Sequence, residues 1–293
     1  MNKRYKIYNN DCLKELPLID NNSIDFVAID PPYGIDVMNV DWDDDKIEKR
    51  SAKSKNSSVG KLPVGMKFDP KDAKKLGVFL NQVAIQLLQK LKPGAFCVVF
   101  SQPRAAHHVA AAFEEAGFEI RDQLIWNYGA GQGKAQGLQN FIRKNRTLTS
   151  TQKNALIERF DGLKTPQLTP VFETMWLAQK PRDGTFLQNY LKHGVGLVDF
   201  REKKYRVSFE HPKPRKKERE LAGKHPTLKP LSLMEELIKV FSPRDGVVLD
   251  CFAGSGTTGV ASLCNDRRFI GIEKSDKWFE IMTKRLADSE RQQ

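Results

Sequence analysis

The 293-residue chain has no apolar run of membrane-spanning length, which argues against a helical span. Its first residues, Met1 to Tyr8, are too few and too polar for a secretory signal, so the cytoplasm is the expected compartment. Cysteine is sparse. Cys12, Cys97, Cys251 and Cys264 form no CxxC pair, which excludes a disulfide framework and a zinc-type cluster. The five histidines are scattered, and the adjacent His107 and His108 cannot share a helix face, so no metal site is expected. Internal repeats are lacking as well, which removes solenoids and propellers.

Hydrophobic residues make up 40% of the chain, enough for a sizeable core, and the length suits one large α/β domain with insertions. The formal charge is +12. The basic residues cluster at Lys49 to Lys55, Arg143 to Arg146, Arg201 to Arg206 and Lys213 to Glu220. Such clustering suits a polyanionic partner, nucleic acid first. A solvated basic surface without a partner is the plainer alternative.

The apolar pattern alternates between strand and helix. Ile24 to Ile29 reads as a buried strand that Pro31 and Pro32 cannot continue, and Tyr5 to Tyr8 as another, with Asp11 a cap for the short helix after it. Ala73 to Leu91 has helical periodicity, with Pro93-Gly94 as its stop. Further strands are expected at Ala95 to Phe100, Phe118 to Trp126, Val171 to Ala178, Val247 to Leu249 and Arg268 to Ile272. Helices are expected at Pro103 to Ala116, Leu231 to Phe241, from about Thr257, and at Asp276 to Leu286. This is the βαβ pattern of a mostly parallel sheet. Segments 1–34, 71–128, 170–181 and 225–293 would form one catalytic domain. The polar stretches would stand on its rim: 35–70 as a mobile DNA-facing loop, 129–169 as an insertion, and 182–224 as a basic insertion that shares in target recognition.

Two turns carry chemistry. In VVLDCFAGSGTTG a short strand ends at Asp250, and Gly254 and Gly256 let the backbone turn tightly beside a ligand. No GKS or GKT follows, so this is not a P-loop, and the spacing is a poor match to GxGxxG. Asp250 would repel a pyrophosphate and suits a ligand with a positive ammonium. One βα unit later Glu273 ends a strand, where a carboxylate can accept from both hydroxyls of a ribose. A cofactor joining a nucleoside to an amino acid fits both. The second turn is Asp30-Pro31-Pro32-Tyr33. Its prolines remove two backbone donors and leave acceptors, the Asp30 carboxylate and the Pro31 carbonyl. An exocyclic amino group gives up both hydrogens to such a pair, which frees its lone pair for attack. Tyr33 supplies a flat face for a base.

These residues resemble the amino-methylating DNA methyltransferases. DPPY at Asp30 to Tyr33 is similar to their catalytic motif, and Phe252-Ala253-Gly254-Ser255-Gly256 to their FxGxG cofactor motif. HPTLKP at His225 to Pro230 resembles the cofactor-site segment that precedes FxGxG, and FETMWLAQKP at Phe172 to Pro181 a strand before an insertion. The catalytic motif comes first, as in the permuted group called beta. The resemblance implies a Rossmann-like, seven-stranded, mostly parallel sheet, circularly permuted, with one antiparallel strand near Val171 to Ala178. It implies S-adenosyl-L-methionine as cofactor, with Asp250 and Phe252 near its methionine part, Glu273 near the ribose, and Asp11, with Cys12 beside it, near the adenine. Thr227 and Lys229 match positions lining the methionine end.

The implied substrate is double-stranded DNA, with Lys213, Arg215, Lys216, Lys217 and Arg219 as candidates to grip its backbone. A homodimer is compatible with the resemblance. No nuclease motif is evident, so a cognate restriction endonuclease would be a separate chain. The turn satisfies adenine N6 and cytosine N4 alike; Asp at position 30 resembles the adenine enzymes, since cytosine-N4 enzymes more often have Ser there. RNA and protein glutamine also carry amino groups, although glutamine-modifying relatives typically show NPPY. A non-catalytic DNA-binding module of the same fold would have a damaged turn, and both turns are intact.

Overall fold

The computed structural model describes residues 4–32, 70–129, 131, 133, 135–166, 168–201 and 206–291. Tyr33, the expected loop up to residue 69 and its Lys49 to Lys55 cluster lie outside the described residues, as do residues 202–205 of the third basic cluster.

Among the described residues eight strands form one sheet. They are β1 (Tyr5–Asn9), β2 (Ile24–Ile29), β3 (Leu91–Ser101), β4 (Glu119–Asn127), β5 (Phe172–Gln179), β6 (Ser208–Glu210), β7 (Val247–Asp250) and β8 (Arg268–Glu273). Their order across the sheet is β1-β8-β7-β2-β3-β5-β4-β6. Only β5 runs antiparallel, against both β3 and β4, as expected for Val171 to Ala178. The expected count of seven strands is corrected to eight. The extra strand, β6, comes from the 182–224 insertion and extends the sheet by pairing with β4. Three residues without an apolar run gave no periodic signal there.

The helices are α1 (Cys12–Glu15), α2 (Pro70–Lys90), α3 (Ala106–Glu115), α4 (Leu138–Lys144), α5 (Ser150–Arg159), α6 (Phe186–His193), α7 (Lys216–Leu221), α8 (Leu231–Phe241), α9 (Thr257–Cys264) and α10 (Asp276–Arg291). Central strands alternate their side chains between two cores. Val27, Ile29, Cys97, Val99 and Leu249 pack with α1, α2 and α3 on one face. Phe26, Ala28, Phe96, Val98, Phe100 and Val248 pack with α8, α9 and α10 on the other. All six residues of β2 are buried, as expected of a strand covered on both faces.

Pro93 and Gly94 do not end a helix. α2 stops at Lys90, and both residues lie inside β3 at a shift in its register with β2, between the pairs Ile24↔Leu91 and Phe26↔Phe96. A bulge accommodates a residue that cannot donate to the ladder. The insertion 129–169 is also more ordered than its polarity suggested, since it holds α4 and α5. No residue of α5 is buried; the helix starts at a reciprocal cap between Thr149 and Gln152. Among the described residues no helix is long and apolar enough to cross a membrane.

Candidate active site

Parallel strands bring their carboxyl ends to one edge of the sheet, and three acids converge there. Asp30 follows β2, Asp250 ends β7 and Glu273 ends β8. β7 pairs with both of the other strands, so Asp250 sits between the other two. It is buried. Its Oδ1 accepts from the Phe252 amide at 3.0 Å and its Oδ2 from the Thr258 hydroxyl at 2.6 Å. Burial, with the negative charges of Asp30 and Glu273 adding to it, still raises its pKa to about 7.

Glu273 grips the glycine turn. Its Oε2 accepts from the Gly254 amide at 2.7 Å and its Oε1 from the Ser275 amide at 2.8 Å. Burial holds its pKa above the ordinary value against these bonds. Gly254 and Gly256 have φ of +50° and +81°, a region that disfavours side chains. A β-carbon at 256 would also come within 2.7 Å of Met282 Cγ. The turn therefore requires glycine sterically as well as conformationally. Phe252 is half-buried, its ring edge-on to Phe79 of α2 at 6.1 Å.

Asp11 caps α1, accepting from the Leu13 amide at 3.0 Å, and pairs with Lys274 at 3.1 Å. The adjacent Cys12 is buried, and burial, reinforced by Asp11, raises its thiol to about 12, so it offers no thiolate. Thr227 is exposed, 3.5 Å from His225 Nδ1. Lys229 is buried and ion-paired to Asp30, with Glu173 Oε2 on its other side at 3.5 Å. Lys213, Arg215, Lys216, Lys217 and Arg219 are exposed, the last three of them on α7. Lys213 lies over the Tyr128 ring at 4.0 Å. Pro31 is buried and Pro32 half-buried.

Three further residues join the site. Glu173, near the start of β5, lies 3.5 Å from Lys229, which precedes α8. His225 approaches the glycine turn, since a β-carbon at 254 would lie 3.1 Å from its Nε2. Arg285 on α10 donates to the Ser255 carbonyl at 2.6 Å and lies 3.1 Å from Thr257 Oγ1. His225 and Glu173 each had a local signal, their places in HPTLKP and FETMWLAQKP; Arg285 had none.

Three acids at the carboxyl edge of a mostly parallel sheet with helices on both faces, beside a glycine turn and a proline turn, place the chain in the class of Rossmann-like α/β proteins. The N6/N4 DNA methylase family model matches residues 24–284, and the chain belongs to that family. It is 31% identical over 299 residues to the type II methyltransferase M.HindIII of Haemophilus influenzae, covering 96% of this chain and 94% of the relative. It is 45% identical over 281 residues to YubD of Escherichia coli K12, covering 96% and 89%. Among solved structures, PvuII DNA methyltransferase (cytosine-N4-specific) has a similar fold, with a TM-score of 0.62 at 16% identity, over 99% of this chain and 94% of that one. The M1.HpyAVI–SAM complex scores 0.58 at 19% identity, over 96% and 100%.

Proposed function

We propose that the protein transfers the methyl group of S-adenosyl-L-methionine to the N6 amino group of adenine in double-stranded DNA. The observation that supports this reading is the parallel pairing of β2 with β7 and of β7 with β8, which brings Asp30, Asp250 and Glu273 to one edge of the sheet.

The residues present fit the cofactor. Asp250, an acid kept from water, favours a neighbouring positive charge. Glu273 accepts from backbone amides through both oxygens, and a carboxylate has about four acceptor sites, which leaves capacity for ribose hydroxyls. Asp11 and Phe252 flank this pocket, and the left-handed glycines let backbone approach the ligand closely. When bound, the cofactor supplies an electrophilic methyl on a sulfonium. The target base leaves the helix, because its amino group is otherwise paired and shielded. Tyr33 stacks on it. The Asp30 carboxylate and Pro31 carbonyl accept its two amino hydrogens. With the cofactor bound, Asp30 would take the surplus amino proton as the amino nitrogen gains the methyl group. Cys12 takes no covalent part.

Adenine is favoured over cytosine by the DPPY resemblance, with Asp rather than Ser at position 30. The insertions 129–169 and 182–224 stand next to β4, β5 and β6 and would face the duplex, with Lys213 and the cations of α7 on its phosphates. The reading places the protein in the cytoplasm, allows a homodimer, and assigns any cognate endonuclease to another chain, as the naming of M.HindIII as a type II methyltransferase suggests. The test is to incubate the purified protein and its Asp30→Ala variant with cofactor and unmethylated DNA of complex sequence, followed by modification-sensitive sequencing. N6-methyladenine at one recurrent sequence is expected with wild type and none with the variant. N4-methylcytosine alone would overturn the choice of base, and full activity of the variant would overturn the catalytic assignment.

A further inference from the structure

The Lys229 ammonium sits in a buried position between two carboxylates from distant parts of the chain. Asp30 comes from the end of β2 and Glu173 from the start of β5. The Phe100 ring of β3 lies 4.9 Å from Nζ and helps to keep water out. Among the described residues no donor meets the buried Glu173 Oε2 with hydrogen-bond geometry. A carboxylate oxygen kept from water with only a 3.5 Å ion contact to Lys229 is costly to keep in a fold, which points to a use for it.

We propose that Glu173 is a positioning residue for methyl transfer: it holds Lys229 protonated and in place, and Lys229 in turn orients the Asp30 carboxylate towards the amino group. This rests on the function proposed above. The charges facing the pair support it. Burial disfavours the Lys229 ammonium, yet Asp30 and Glu173 together more than offset it, so its pKa stands above the ordinary lysine value. Glu173 is itself raised, by burial first and against the pull of Lys229; Asp30 adds to the rise and Lys213 opposes it. Tyr128 is a further titratable neighbour, and burial followed by Glu173 raises its hydroxyl; Asp250 faces Asp30 from the end of β7. With Glu173 neutral, Lys229 would lose one of the carboxylates that offset its desolvation. The ammonium would then lose its proton at lower pH and release Asp30 from its orientation.

The test is the pH dependence of kcat for DNA methylation by wild type, Glu173→Gln and the double variant Glu173→Gln/Lys229→Arg. Glutamine is isosteric, and thermal melting checks that each variant folds. In Glu173→Gln the alkaline limb should move down by about 1–3 pH units, the shift expected when an opposite charge at this range is lost. Cofactor affinity, read by calorimetry, should stay within about twofold, because the change acts on kcat. The arginine variant should lift the limb again, since a guanidinium stays charged. A Glu173→Gln profile that parallels wild type at every pH would reduce Glu173 to scaffold and overturn the proposal. Absence of methylation by wild type on any DNA would instead sink the function on which it rests.

Discussion

Asp250 shows how one burial decision sets a binding property. Its carboxyl carries an ordinary pKa of 3.8 when exposed and about 7 in the fold. Between those values the folded chain keeps a proton that the unfolded chain has released. Its contribution to stability therefore falls as pH rises from about 4 to about 7. A cationic ligand reverses the balance, because it favours the ionised form. Affinity for S-adenosyl-L-methionine should thus rise between pH 6 and pH 8, by up to about tenfold per unit, and binding near pH 6.5 should release a proton. Calorimetry in two buffers of different ionisation enthalpy reads both effects. Asp250→Asn should abolish the proton release and flatten the pH dependence; a variant that still releases the proton would move the effect to Glu273. At this scale Asp30, Asp250 and Glu273 were legible in the sequence, since each closes an apolar strand in a local motif. Glu173 was legible only as a member of FETMWLAQKP, without a role. Its significance arises from its contact with Lys229, 56 positions away in the chain, and the segment itself carries no trace of that pairing.

The turn between β7 and α9 is built by three elements at once. Glu273 of β8 holds the Gly254 amide, Met282 of α10 leaves no room for a β-carbon at 256, and Arg285 of α10 supplies a donor to the Ser255 carbonyl. Burial lowers the Arg285 pKa to about 10, still far above neutral, so this brace stays charged. Arg285→Met keeps the length of the side chain and removes the donor. It should lower stability by about 1–3 kcal/mol in urea unfolding and weaken cofactor binding, because the carbonyl it leaves behind reorganises the turn. Unchanged stability and affinity together would show that the glycines and Glu273 hold the turn unaided. Among the elements, α8 and β2 were read from the sequence with their observed bounds, because both bury most of their residues and their apolar pattern is continuous. The helices α5 and α6 were missed. Both open with a Thr-x-x-Gln cap, at Thr149 and Thr185, which is a readable helix start. In α5 no residue is buried and no apolar period exists. In α6 the period is present, with Phe186, Leu187, Tyr190 and Leu191 at helical spacing, but it spans eight residues inside a polar segment and faces outward.

Across the whole molecule, acid and base are sorted. Asp30, Asp250 and Glu273 meet at the carboxyl edge, while the net charge is +12 and the basic clusters among the described residues are exposed. The pocket and the surface therefore ask for different ligands, a cation inside and a polyanion outside. Lys213 and the α7 cations follow β6, whose carboxyl end lies at the same edge as Asp30, since β6 pairs in parallel with β4 on the antiparallel strand that carries Glu173. The α7 segment is also tied to the site, because Glu218 accepts from the Leu231 amide at 2.6 Å at the start of α8. A duplex that presents a base to Asp30 would run its phosphates over these side chains. Each phosphate neutralised releases condensed counterions, so log K falls against log salt with a slope of about −0.9 per contact. Replacing Lys213, Arg215, Lys216, Lys217 and Arg219 with glutamine should then weaken DNA binding at low salt and shallow the slope by up to about 4.5. The loss should be similar on specific and random duplexes, because phosphate contacts carry no sequence information. Glu218 is left in place so that the tie to α8 survives. Fluorescence anisotropy over a salt series measures the slope directly. A slope equal to wild type would remove this segment from the DNA path and shift the electrostatic contact to the 129–169 insertion, whose Arg143, Lys144 and Arg146 are also exposed.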